Sequence, residues 1–136
     1  MHLRPWNRHS DYRVLVKWWD QHDFGKVPKE CLPPLGLVVE DALGTSICAG
    51  GLYVCDGTKF GFMEWVVGDP KASPKLLHKC LKILIDGLIK LAKEEGCLLL
   101  YTVTENPGLH KRYVKYHGLS KGENNARTFV KDLTDG

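Results

Sequence analysis

The 136-residue sequence contains no apolar run of membrane-spanning length, no internal repeat, no low-complexity stretch and no C-x-x-C pair. Each absence excludes a class. A transmembrane helix needs roughly 18 or more consecutive apolar residues. A solenoid needs a fixed period. A zinc ribbon or thioredoxin-like motif needs closely paired cysteines. Charge of one sign is scarce as well. The 19 Lys plus Arg against 16 Asp plus Glu give a formal charge of only +3, too little to argue for a nucleic-acid partner. The opening residues Met1 to Trp6 carry no apolar segment of signal-peptide length, so neither export nor membrane association is expected. Five cysteines cannot all close into intramolecular disulfides, and a reducing cytoplasm is the expected location.

What remains describes one soluble domain over residues 1–136, with 43% hydrophobic and 26% charged residues. The charge is unevenly placed. Residues 1–70 hold 7 basic and 9 acidic side chains, and residues 71–136 hold 12 basic and 7 acidic ones. A polyanionic ligand is therefore expected on the C-terminal half.

Hydrophobic periodicity alternates between helix and strand. Leu3 to Trp6 reads as a short opening strand, and Ser10 as the N-cap of a helix over Asp11 to His22. Trp18 and Trp19 cannot point the same way on that helix. One is expected in the core, and the other lining a cleft or partly exposed. Lys29 to Leu32 reads as one helical turn. Three strands follow, Leu37 to Glu40, Ser46 to Val54 and Lys59 to Val67, joined by turns at Gly44 and Gly57. In the third, strict alternation puts Phe60, Phe62, Glu64 and Val66 on one face and Gly61, Met63, Trp65 and Val67 on the other.

The strongest helical stripe runs from Pro74 to Glu95, about 33 Å long at 1.5 Å per residue. Ser73 caps it, Pro74 opens it and Gly96 stops it. Cys97 to Val103 is apolar enough for a buried central strand. Asn106-Pro107 opens another helix to about Tyr116, ended by Gly118, and Arg127 to Leu133 is the expected last strand. The expected order is β-α-α-β-β-β-α-β-α-β.

This order, the segment Glu64 to Pro70, the long helix after it, and Asn106 to Leu119 together resemble the GNAT N-acyltransferase superfamily. The last segment is similar to that family's N-x-x-A-x-x-L-Y-x-K-x-G-F pattern. Leu32 to Glu40 and Asp69 to Pro74 resemble more narrowly the small GNAT-like proteins of phages and prophages. The resemblance implies an α/β fold with a mixed, mostly antiparallel sheet flanked by helices. It also implies acyl-CoA, in the first place acetyl-CoA, as donor and an amine of unspecified identity as acceptor, with no metal.

Helix N-termini bind phosphate through unpaired N–H groups and the helix dipole. On this basis Lys71, Ser73, Lys75 and Leu76 become candidate pyrophosphate ligands. The family's loop reads Q/R-x-x-G-x-G/A, whereas this one reads Lys71-Ala72-Ser73-Pro74-Lys75-Leu76, with no glycine and one N–H removed by Pro74. The resemblance implies pantetheine beside Trp65, Val66 and Val67, with an N–H near Val66 or Val67 polarising the thioester carbonyl. Glu64, the only carboxylate inside that strand, is the candidate general base. Asn106 stands where the family often binds pantetheine, although capping a helix explains it equally. Tyr113 matches the tyrosine that protonates the departing thiolate. The segment is one residue longer before Gly118, which makes Tyr116 a rival.

Six scattered histidines show no zinc-ligand spacing, and no Walker loop or G-x-S-x-G elbow occurs. A GNAT-like binding module without catalysis is the competing expectation, favoured by the missing glycines. A thiol-based reaction through Cys48 or Cys55 is a third. The acceptor is expected to meet the segment from Trp18 to Pro34.

Overall fold

A computed structural model describes residues 1–123 and 125–134. These fall into two compact units, Met1–Thr104 and Glu105–Gly136.

The first unit is a five-stranded mixed sheet with a helix on each face. The strands are β1 (His2–Pro5), β2 (Leu35–Glu40), β3 (Ser46–Val54), β4 (Phe60–Gly68) and β5 (Leu99–Tyr101), side by side in that order. Neighbours pair antiparallel from β1 to β4, and β5 pairs parallel to β4. That parallel pairing requires a crossover, which α2 (Pro74–Glu94) supplies. The first helix, α1 (Tyr12–Gln21), precedes a single 3-10 turn at Lys29–Cys31.

Adjacent glycines in β3 show how the helices straddle the sheet. A Cβ on Gly50 would lie 2.9 Å from Leu88 of α2, and one on Gly51 would lie 2.7 Å from Trp6 on the other face. Successive strand residues point to opposite faces, so α2 covers one side and the α1 cluster the other. Cys80, Leu84, Ile85, Leu88 and Ala92 of α2 are buried, close to the expected stripe. Trp6, Leu15, Trp18, Trp19, Val38 and Val67 form the opposite core.

Several expectations need correction. Both Trp18 and Trp19 are buried, each 3% exposed. Indoles are long enough to converge from adjacent helical positions, and Trp19 reaches sideways to Tyr12 and Trp65, each ring centroid 6.2 Å away. The N-cap of α1 is Asp11, not Ser10, and it caps with no side-chain hydrogen bond. Its carboxylate instead accepts from the Arg4 guanidinium at 2.8 and 2.9 Å and from the Asn7 N–H at 2.7 Å.

Only Leu99–Tyr101 of the expected buried strand Cys97 to Val103 is paired. It forms the sheet's edge, with Leu98 81% and Leu99 62% exposed. Apolar composition indicated burial on both faces, but no strand lies beyond β5 among the described residues.

The second unit contains α3 (Pro107–His117). Asn106 Oδ1 accepts from the N–H groups of Gly108 (2.8 Å) and Leu109 (3.3 Å), and Gly118 ends the helix at φ 72°. Arg127 to Leu133 is not a strand. Phe129, Val130 and Leu133 stand largely in solvent. β-propensity alone does not hold a strand without a paired neighbour.

Candidate active site

The site candidates of the first unit gather where β4 changes its register. Gly51 lies opposite Glu64 and Ala49 opposite Val67, so three steps on β4 match two on β3. This β-bulge contains Trp65 at φ 62°, a left-handed conformation that costs a non-glycine residue on the order of 1–2 kcal/mol. The bulge breaks the alternation expected from the sequence. Trp65 turns to the α1 face with Glu64 and Val67, where it packs on Trp19. Val66 turns to the α2 face, where its Cγ2 would lie 3.1 Å from a Cβ on Gly50.

Two hydrogen bonds anchor the bulge. Trp65 Nε1–H donates to Tyr53 Oη at 2.8 Å, and Tyr53 Oη–H donates to the Cys31 carbonyl at 2.6 Å. Glu64 is half-buried, and its Oε1 is 3.4 Å from the Trp65 N–H. Burial pushes its carboxyl above the usual carboxylate range, partly opposed by that N–H. Among the described residues Glu64 has no ion pair.

The bulge also marks where β4 loses its second neighbour. Pairing with β5 ends at Phe62 opposite Tyr101, yet β4 continues to Gly68. Past the bulge, Asp69 N–H donates to the Ile47 carbonyl at 2.8 Å. By antiparallel alternation Val67 also faces β3, and the peptide groups of Val66 and Gly68 face the open edge. The Gly68 carbonyl is engaged by His22 Nε2 at 2.9 Å.

The chain then enters α2 through a tight turn. Asp69 Oδ1 accepts from the Lys71 N–H (2.9 Å) and the Asp69 carbonyl from the Ala72 N–H (3.1 Å). Ser73 Oγ caps the Leu76 N–H at 3.2 Å, as expected. Pro74 has no N–H, which leaves the N–H groups of Ser73 and Lys75 as the uncapped early donors. The side chains of Lys71 and Lys75 are exposed.

The remaining candidates, Asn106, Tyr113 and Tyr116, belong to the second unit. Tyr113 is 5% exposed. Tyr116 is 40% exposed and lies under two cations, Arg112 at 6.0 Å and Lys115 at 5.2 Å from its ring centroid. Sequence reasoning missed Tyr53. Its alternation partner across the hairpin, Phe62, was visible, but the phenol's role depends on a bulge that no glycine or proline announces.

The sequence matches no family model and no curated protein. The fold does match solved structures. Glucosamine-6-phosphate N-acetyltransferase from Arabidopsis thaliana superposes with TM-score 0.64 at 16% identity, covering 95% of this chain and 98% of that one. A Mycobacterium tuberculosis protein in complex with CoA gives TM-score 0.68 at 19% identity over 84% of this chain and 70% of that one. An aminoglycoside 6'-N-acetyltransferase from Acinetobacter haemolyticus gives 0.61 at 14% identity over 98% and 99%. The likeness establishes the architecture: a GNAT-like α/β fold, its five-stranded mixed sheet flanked by helices.

Proposed function

We propose that this chain is an acyl-CoA-dependent N-acyltransferase, with acetyl-CoA as donor and an amine as acceptor. The observation that carries the reading is the bulge at Glu64 to Val66, set where β4 parts from β5, in a fold shared with N-acetyltransferases. In this reading both units act as one acyltransferase domain.

The chemistry needs no enzyme nucleophile. The amine nitrogen forms a C–N bond to the thioester carbonyl carbon, and the C–S bond breaks. The half-buried Glu64 carboxylate, made more basic by burial, takes the proton from the acceptor ammonium, directly or through water. Negative charge on the carbonyl oxygen is met by a backbone N–H. Strand alternation favours Val66 over Val67 for this, because Val67 faces β3. Tyr113 or Tyr116 gives its proton to the leaving sulfur, and the second proton that the nitrogen sheds on becoming an amide restores the phenol through solvent.

The residues before and within the first turn of α2 fit a pyrophosphate, in an unusual way. Lys71, Lys75 and the helix dipole supply positive charge, while backbone donors are few because Ser73 occupies the Leu76 N–H and Pro74 has none. Lysine charge therefore replaces the glycine-rich cradle, and binding should weaken steeply with salt. Trp65 shapes the pantetheine channel through its bulged backbone, and Asn106 keeps the pantetheine role that the family resemblance implies.

The same shortage of backbone donors favours a second reading, a GNAT-like binding protein that has lost the reaction. Mass spectrometry of amines incubated with acetyl-CoA separates the two. The transferase reading expects an N-acetylated product and a fall in kcat of about a hundredfold or more in Glu64→Gln. A smaller fall is expected in Tyr113→Phe or Tyr116→Phe. Unchanged rates in all three variants would overturn the residue assignments. Absence of product together with absence of acetyl-CoA binding would favour the second reading.

A further inference from the structure

One face of the sheet's open end carries a row of four aromatic rings that the reaction itself does not use. Phe62 of β4 lies between Tyr53 of β3, centroid 6.4 Å away, and Tyr101 of β5, stacked at 5.5 Å with 26° between planes. Phe60 joins the row at 6.2 Å from Tyr101. Its outer end is open to solvent: Tyr101 is 48% exposed and Leu99, two residues earlier on the same face, is 62% exposed.

Glu64 stands on this face at the inner end of the row, two residues beyond Phe62 and close enough for its charge to act on the Tyr53 phenol. A half-buried carboxylate with no ion pair among the described residues calls for a cation. Aromatic ring faces, being negative, reinforce the demand and also offer a planar apolar platform. Two strand residues advance about 6.8 Å, a span that a linker of about two carbons bridges between a stacked ring and an ammonium.

We propose that this row selects the acceptor, and that the acceptor is a primary amine bearing an aromatic ring on a short alkyl linker. The ring lies against Phe62 and Tyr101, and the ammonium meets Glu64. The assignment of this surface to an acceptor rests on the transferase reading, but the binding preference does not.

Calorimetric titration of the whole chain, without acetyl-CoA, tests the preference with three probes. These are 2-phenylethylamine, ethylamine, which lacks the ring, and 2-phenylethanol, which lacks the charge. The expected result is at least about tenfold tighter binding of 2-phenylethylamine than of either other probe, or about 1.4 kcal/mol. Tyr101→Ala, at an exposed position, should erase most of that advantage over ethylamine, and Glu64→Gln the advantage over 2-phenylethanol. Equal affinities for 2-phenylethylamine and ethylamine, no binding of either, or an unchanged Tyr101→Ala profile would overturn the proposal. Adding acetyl-CoA separates the two ideas. Selective binding of 2-phenylethylamine without its acetylation refutes the transferase reading and leaves the site. Acetylation of ethylamine as efficient as that of 2-phenylethylamine refutes the selectivity and leaves the transferase.

Discussion

Glu64 and Asp11 are carboxylates whose surroundings push them in opposite directions, and each yields a pH test. Burial raises Glu64, so folding favours its protonated form. Its ionised form weakens the fold above the folded pKa, and the deficit disappears as pH falls toward the unfolded value. Glu64→Gln is therefore expected to melt higher than the parent at pH 7, with the advantage shrinking on acidification. A constant difference across a series of melts from pH 7 to pH 4 would contradict this. The Arg4 guanidinium lowers Asp11, so its contribution is present at neutral pH and is lost as pH falls through the folded pKa. Asp11→Asn should cost about 1–2 kcal/mol at pH 7 and much less in acid, measured by denaturant titration at both pH values. Glu64 was legible in the sequence as the lone carboxylate of an apolar strand. The conformation of Trp65 was not, because a tryptophan at positive φ is held by tertiary contacts, here Trp19 and Tyr53, that leave no local mark.

At the level of elements, local chemistry and tertiary pairing divide what could be read. The strand Ser46–Val54 and the caps at Ser73, Asn106 and Gly118 follow from alternation and capping, and they form where expected. Ser73→Ala should cost about 1 kcal/mol of stability through loss of the bond to the Leu76 N–H. In the proposed reading acetyl-CoA binding changes little in that variant, because that reading gives the anion contact to the lysines. A fall in affinity without a fall in stability would reverse those roles. Glycine in β2 is under a harder constraint. A Cβ on Gly36 would lie 2.1 Å from the buried Trp6 ring, whose N–H is also fixed on the Pro33 carbonyl. Gly36→Ala is expected to lose about 3 kcal/mol or more, read from urea unfolding. The elements misjudged are those whose existence or burial depends on a partner. Cys97 to Val103 has the composition of a central strand, but it pairs over three residues at an edge. Arg127 to Leu133 has strand composition and no partner among the described residues.

On the scale of the whole molecule, the uneven charge of the chain acquires a meaning. The basic excess begins at Lys71, beside the N-terminus of α2, where the chain leaves the bulged strand. Lysines there offer attraction that salt screens, over a Debye length of about 10 Å at 0.1 M and about 3 Å at 1 M. Thermal melting with acetyl-CoA at low and high salt tests whether this end of the sheet takes an acyl-CoA. Ligand at ten times its dissociation constant stabilises the native state by about 1.4 kcal/mol, which is about 4 °C for a domain of this size. A rise of that order is expected in dilute buffer with millimolar acetyl-CoA, largely abolished in 1 M salt and in Lys71→Ala/Lys75→Ala. An unchanged melting temperature in dilute buffer would contradict it.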